Sequence, residues 1–311
     1  MAFADRVSII VPTFKRPDGL AMAMNSLKAQ VDGWHDIELI IADNDPAGSA
    51  CGFVERLTPE MPFPTQYVHA PVPGVANARN AAVEAASGRY LAFLDDDETA
   101  SEGWLKAMMV VMTGENCCAV FSRIEADFEM TTPERGFFEQ FFGRDIPGLE
   151  EGVIDHYYGC GSSLVDRAYM DLPDPVFSTA MNETGGEDDV LFDYLHKRGG
   201  KMGWTRKAFA REHVPPERLT LAYVRKRSFA FGQGPTRMYA DLGPFNPVGI
   251  VRSMSIGAAQ YGVFSTLALI AKLVRRSAYP GLLSRAYMGA GKVLWQKRFR
   301  PGFYGSAAKQ A

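Results

Sequence analysis

Short apolar runs that stop abruptly at polar clusters pattern the first hundred residues. Val7-Ser-Ile-Ile-Val11 is β-branched and ends at Pro12-Thr13. Ile37-Glu-Leu-Ile-Ile41 runs into Ala42-Asp43-Asn44-Asp45, and Tyr90–Leu94 runs into Asp95-Asp96-Asp97-Glu98. Each run reads as a buried strand. Helical patterns separate them. Asp18 is placed to cap a helix that carries Leu20, Met24 and Leu27 on one face. Pro73-Gly74 is a turn, the Ala-rich stretch Ala76–Ala86 is helical, and Ser87-Gly88 closes it. Strands alternating with helices predict an α/β domain with a largely parallel sheet. In such sheets ligands bind at the carboxyl ends of strands. The three polar clusters are therefore expected to line one crevice.

The pattern changes after residue 119. Phe137, Phe138, Phe141 and Phe142 form an aromatic cluster in a loop or short helix, predicted as core, with an apolar acceptor lip as the alternative. Tyr157-Tyr-Gly-Cys-Gly-Ser-Ser-Leu-Val165 reads as a strand whose first glycines admit a ligand close to the backbone. Val190, Leu191, Tyr194 and Leu195 have helical spacing, with Glu187, Asp188 and Asp189 at the helix start, where the dipole favours carboxylates. Met108, Met109 and Met112 follow Trp104 and Leu105 on an amphipathic helix and are expected in the core. Ser253–Ala271 is nineteen residues without a charge, just long enough to span a bilayer. Gln260, two glycines and several Ser/Thr residues make it only modestly hydrophobic. The expectation is amphipathic helices lying on a membrane surface. A spanning helix and a packed helical subdomain are the alternatives.

Charge sharpens that picture. The net charge of −3 conceals an asymmetry: no Asp or Glu follows Asp241, while ten Lys or Arg do, from Arg252 through Arg275 to Lys309. Residues 1–241 thus carry 23 basic against 36 acidic side chains. A basic, apolar tail points to an anionic partner, membrane phospholipid before any other, and not to nucleic acid. The four cysteines form no CxxC pair, so neither a disulfide framework nor a zinc site is expected, in keeping with a reducing cytoplasm. The first residues lack a signal-peptide pattern, so a cytoplasmic protein is expected, peripheral on the inner face of the membrane.

The candidate chemistry centres on Asp95–Glu98. Adjacent carboxylates repel and lose hydration at the edge of a core. A hard divalent cation such as Mg2+ or Mn2+ relieves both, and can in turn hold phosphates. The first strand–helix turn, Pro-Thr-Phe-Lys-Arg-Pro, has no GxGxxG glycines, and there is no GxxxxGK[ST] loop. A dinucleotide enzyme or P-loop NTPase is disfavoured. His35, His69, His156 and His196 show no metal-ligand spacing.

With these residues assembled, the chain resembles the family 2 glycosyltransferases of the GT-A fold. Val-Ser-Ile-Ile-Val-Pro-Thr-Phe-Lys-Arg16 is similar to the family's opening strand, and Ile-Ile-Ala-Asp43-Asn44 to its second strand. Gly74-Val-Ala-Asn-Ala-Arg79-Asn80, followed by Gly88 to Asp97, resembles its Gly-x-x-x-Ala-Arg-Asn helix and D-x-D motif. Gly186-Glu187-Asp188 resembles its E-D motif. The likeness spans about residues 6–215, and the order of the motifs makes it specific. It implies a Rossmann-like nucleotide-binding sheet with a mixed-sheet acceptor half (residues 1–98 and 99–220) and a C-terminal helical region (221–311). It implies sugar transfer with inversion from a nucleotide-sugar donor, commonly uridine-linked. Pro12, Thr13, Arg16, Arg79, Asp95 and Asp96 would serve the donor. Asp43 or Asn44 would meet the nucleoside; relatives often have two aspartates there. Asp97, with Asp95 and His213, would hold Mn2+ or Mg2+, and Asp188 would be the base. The segment around His213 and Arg225-Lys-Arg227 is similar to the bacterial exopolysaccharide branch, which implies a lipid-linked oligosaccharide or polysaccharide acceptor. A sugar-nucleotide pyrophosphorylase and a non-catalytic nucleotide-binding scaffold are the rival readings.

Overall fold

The computed structural model describes residues 5–31, 36–131, 133–182, 185–274 and 276–303. His35, Arg275 and Lys309 lie outside them. The described residues form two compact units, one drawn from 5–127, 142–213 and 303, the other from 128–141 and 214–302.

In the first unit β1 (Val7–Thr13) lies between β2 (Ile37–Asp43) and β4 (Tyr90–Phe93), with β3 (Thr65–His69) beyond β2. All four run parallel, Thr13 opposite Asp43 and Ile10 opposite Phe93. Polarity then reverses. β8 (Ser163–Asp166) pairs antiparallel with both β4 and β6 (Ala119–Asp127). β9 (Met202–His213) runs parallel to β6 and carries the short antiparallel strands β5 (Glu98–Ala100) and β7 (Gly152–Ile154). The expected parallel sheet is thus its first half, and the second half is mixed.

The parallel strands are buried on both faces, so they read as continuous apolar runs rather than as alternation. Alternate residues still sort by face. Ile9, Val11, Leu39 and Ile41 pack with α1 (Pro17–Leu27), α2 (Cys51–Leu57) and α4 (Trp104–Glu115) through Leu20, Met24, Val54, Trp104 and Met108. Ile10, Ile40, Leu91 and Phe93 pack with α3 (Val75–Ala85) and α6 (Glu187–Lys197) through Ala78, Ala82, Leu191 and Phe192. Two sequence expectations change. Asp18 does not cap α1: the cap position is Arg16, Pro17 opens the helix, and Asp18 lies in its first turn. The strand expected over 157–165 is only Ser163–Asp166, because residues 157–162 leave the sheet as a loop.

The second unit holds α7 (Leu221–Ala240), α8 (Pro247–Leu273) and α9 (Tyr279–Val293). Small polar pairs link these helices: Ser228 to Ser284 at 2.8 Å and Thr236 to Ser253 at 2.6 Å. α8 leaves Val248, Val251, Val263, Leu269 and Leu273 exposed. The helix α5 (Arg135–Phe142) holds the phenylalanine cluster, and of those four rings Phe138 is buried.

Candidate active site

The site is built where β1, β2 and β4 end on the same edge. Leaving β4, the chain turns through Asp95–Asp97 before β5. The turn is tied to the end of β1: Asp96 accepts hydrogen bonds from the Thr13 hydroxyl at 2.9 Å and the Phe14 N–H at 3.3 Å. Arg16 Nη1 donates to Asp96 at 2.9 Å and to Asp97 at 2.7 Å. One guanidinium therefore bridges two adjacent carboxylates. Burial pushes the Asp96 carboxyl up to about 6, against the pull of Arg16. Glu98 is fully enclosed; burial and then the Asp95 charge drive it well above the carboxylate range, while its Oε2 accepts the Asp95 N–H at 3.1 Å. Asp95 and Asp97 keep more solvent contact than either neighbour, with 35% and 18% of their side chains exposed.

α3 supplies the second arginine. Its start needs glycine, because Gly74 has φ of 135° and a Cβ there would collide with Asn182. Asn182 Oδ1 takes the Ala76 N–H at 3.0 Å, filling the helix N-terminus. One turn on, the buried Arg79 donates to Asp95 at 2.8 Å and, through its other Nη, to Glu187. Asn80 clasps the Phe177 backbone through both amide atoms, at 2.8 Å each, and the Phe177 ring lies under the Arg79 guanidinium. Burial and the neighbouring Asp188 charge push Glu187 up to about 7, against Arg79. Arg79 thus joins the acidic turn after β4 to the start of α6, regions more than ninety residues apart in the chain.

Asp188 is the next residue of α6 and is half-buried. Its Oδ2 accepts the Cys160 N–H at 3.0 Å and its Oδ1 the Asp189 N–H at 3.0 Å. Asp43 and Asn44 are committed to the scaffold. Asp43 is fully buried and accepts from the N–H groups of Asp45 and Ala50 and from the Tyr67 hydroxyl. Asn44 donates to the Ala70 and Val72 carbonyls and accepts the Gly74 N–H at 2.6 Å. His213 lies beside the acidic turn, its N–H on the Asp97 carbonyl at 2.8 Å. Its Nδ1 meets Asp127 at 3.0 Å and its Nε2 meets Thr99 at 3.1 Å. Pro12 is a buried residue of β1 opposite Ala42.

Two features escape sequence reasoning. Asn182 is an isolated polar residue with no periodic context. Arg144 donates to four backbone carbonyls around the loop 159–162, and nothing in its neighbours marks it.

A half-parallel, half-mixed sheet with an arginine-bridged acid cluster at its carboxyl edge is the architecture of a GT-A glycosyltransferase. Two solved structures share the fold. The mannosyltransferase PcManGT from Pyrobaculum calidifontis, in complex with GDP-Man and Mn2+, has a TM-score of 0.61 at 18% identity over 94% of this chain and 88% of that one. S. aureus TarS 1–349 in complex with UDP-GlcNAc has a TM-score of 0.54 at 13% identity over 95% and 91%. The family model for glycosyl transferase family 2 matches residues 8–172. The succinoglycan biosynthesis protein ExoM of Rhizobium meliloti (strain 1021) is 36% identical over 236 residues, 76% of this chain and 75% of that protein. The chain belongs to glycosyl transferase family 2, and it is a glycosyltransferase.

Proposed function

We propose that the enzyme moves a sugar, with inversion, from a uridine-linked nucleotide donor to a hydroxyl of a lipid-linked oligosaccharide or polysaccharide. The observation that carries this reading is the Arg79 bridge. It brings the acids suited to a diphosphate, Asp95 to Asp97, next to the helix start that bears Asp188. The relative named for succinoglycan biosynthesis supports a polysaccharide product, and the UDP-GlcNAc held by TarS supports the donor class.

The donor set suits a divalent metal. Among the described residues no group of three His, Cys, Asp or Glu side chains closes around an ion. Mg2+ and Mn2+ sites of this kind use one or two carboxylates and complete their shell with substrate phosphates. Asp97 would be the main ligand, with Asp95 beside it. His213 Nε2 would join by exchanging Thr99 for the ion. Its Nδ1 contact with Asp127 is the carboxylate support that metal-binding histidines use. When bound, the metal would neutralise charge growing on the leaving diphosphate.

Arg16, with 41% of its side chain exposed, can turn from Asp97 to a phosphate. Pro12, Thr13, Asp43 and Asn44 shape the nucleoside side, the last two by holding backbone. Asp188 takes the proton of the acceptor hydroxyl as that oxygen bonds to the anomeric carbon. The bond from this carbon to the phosphate oxygen breaks, and its electron pair leaves with the nucleoside diphosphate. Two hydrogen bonds fix the Asp188 carboxylate and leave lone pairs for the proton.

The second unit supports a cytoplasmic enzyme peripheral to the membrane. α8 is long and apolar enough to cross a bilayer. Its exposed apolar residues are accompanied by the exposed Arg252 and Lys272, and no acid follows Asp241. In our reading residues 242–311 lie on the anionic inner leaflet. The donor is tested by calorimetry with Mn2+ against a panel of nucleotide sugars. Uridine-linked members should bind, and binding confined to guanosine-linked members would overturn the donor assignment. The membrane reading predicts sedimentation with vesicles containing phosphatidylglycerol. Equal recovery on purely zwitterionic vesicles would contradict the electrostatic part.

A further inference from the structure

We infer that Arg144 is a positioning residue for the transfer step, acting on Asp188 through the loop 159–162. The inference rests on the reading of Asp188 as the base. Arg144 itself is fixed by two backbone hydrogen bonds to Ile124 of β6, at 2.8 and 3.2 Å. Its guanidinium then reaches four carbonyls. Nε donates to Ser122 at 2.8 Å and Nη1 to Gly159 at 2.9 Å; Nη2 donates to Gly161 at 2.7 Å and to Ser162 at 2.9 Å. The rings of Phe121 and Tyr158 flank it. Its five N–H groups are thus spent almost wholly on holding backbone.

The held backbone is a spacer between the two acidic centres. Cys160 lies between the clamped carbonyls of Gly159 and Gly161, and its N–H is the donor to Asp188 Oδ2. A Cβ on Gly159 would stand 3.1 Å from that same oxygen. A Cβ on Gly161 would stand 2.6 Å from Glu98 Oε1 and 3.2 Å from Asp95 Oδ2. The loop therefore passes between the base and the acids of the diphosphate turn, close against Asp188 at Gly159 and against Glu98 and Asp95 at Gly161. Beside the Arg79 bridge, fixing this loop fixes the amide that aims the Asp188 carboxylate. A flexible lysine cannot hold four carbonyls in one plane, whereas a planar fork can.

A misplacement of about 1 Å at a reacting group costs on the order of a hundredfold in rate. Arg144→Met should therefore lower kcat about 30- to 100-fold while nucleotide affinity changes less than about threefold. Turnover is read as nucleoside diphosphate release from whichever member of a UDP- and GDP-sugar panel the wild type turns over fastest with Mn2+. Affinity is read by calorimetry with the free nucleotide. Hydrogen exchange on the full chain should show faster exchange in residues 157–163 and unchanged exchange in residues 7–13. In an Asp188→Asn background, Arg144→Met should cost little more. Should Arg144→Met fail to fold, Arg144→Lys carries the test, with a smaller kcat loss and retained affinity. Wild-type kcat in a folded Arg144 variant overturns the inference, and so does an equal fall in nucleotide affinity. Full transfer by Asp188→Asn alone instead overturns the base assignment beneath it.

Discussion

The turn after β4 and the start of α6 each bring consecutive carboxylates to one crevice, yet they dispose of the charge in opposite ways. In the turn, Arg16 spans Asp96 and Asp97 and Arg79 holds Asp95. At α6, Arg79 takes only Glu187, and Asp188 is held by two backbone N–H groups. Ion pairing favours the ionised carboxylate and suits it to cations and, through them, to phosphate. Backbone amides orient a carboxylate and bring no cation to it, which leaves it open to an incoming hydroxyl. The same residue types thus acquire two roles from the partners their elements deliver.

The largest effect should come from breaking the turn. Asp97→Ala should lower transfer on the order of 10²- to 10³-fold and remove the metal dependence of nucleotide binding. Unchanged Mn2+-dependent binding in calorimetry would show that Asp97 does not serve the ion. Removing the shared cation comes next. Arg79→Met strands Asp95 and the buried Glu187 together, and should cost about 3–5 kcal/mol of stability. Denaturant titration measures it; a loss below about 1 kcal/mol would mean the bridge contributes little.

A smaller effect depends on pH and belongs to Glu187. Glu187 is raised from an ordinary 4.5 to about 7, so between those values the folded protein keeps a proton that the unfolded chain has released. Its contribution to stability is complete below about pH 4.5 and is lost as pH rises through about 7. Glu187→Gln, which cannot ionise, should lack that loss. Its Tm relative to wild type should shift upward between pH 5 and pH 8. A constant difference across this range would contradict the burial argument for Glu187.

The parallel half was legible in the sequence because burial on both faces writes strands as apolar runs with sharp ends. Thr13 and Asp95–Asp97 directly follow such runs, so their convergence could be read from topology alone. The mixed half hides its logic in long-range contacts. The loop 157–162 carries strand-like residues, but its Gly159, Gly161 and Ser162 carbonyls go to Arg144, and Ser162 alone of these also meets β6, at the Ser122 N–H. Asn44 occupies the position expected to meet a nucleoside, yet its amide is engaged by backbone groups of residues 70–74 that no local pattern links to it. The uncharged stretch Ser253–Ala271 marks a helix in the sequence but does not tell a packed helix from an exposed one, because both faces are apolar.

The central claim is that Asp188 accepts the proton while the arginine-bridged turn holds the donor. Asp188→Asn keeps the shape and a hydrogen-bond acceptor for the Cys160 N–H but is too weak a base. Transfer and Mn2+-dependent nucleotide binding, measured on the same preparation, test the claim most directly. The account predicts transfer reduced by on the order of 10³-fold or more with nucleotide affinity within about threefold of wild type. Transfer at the wild-type rate, or nucleotide affinity lost in step with transfer, would contradict it.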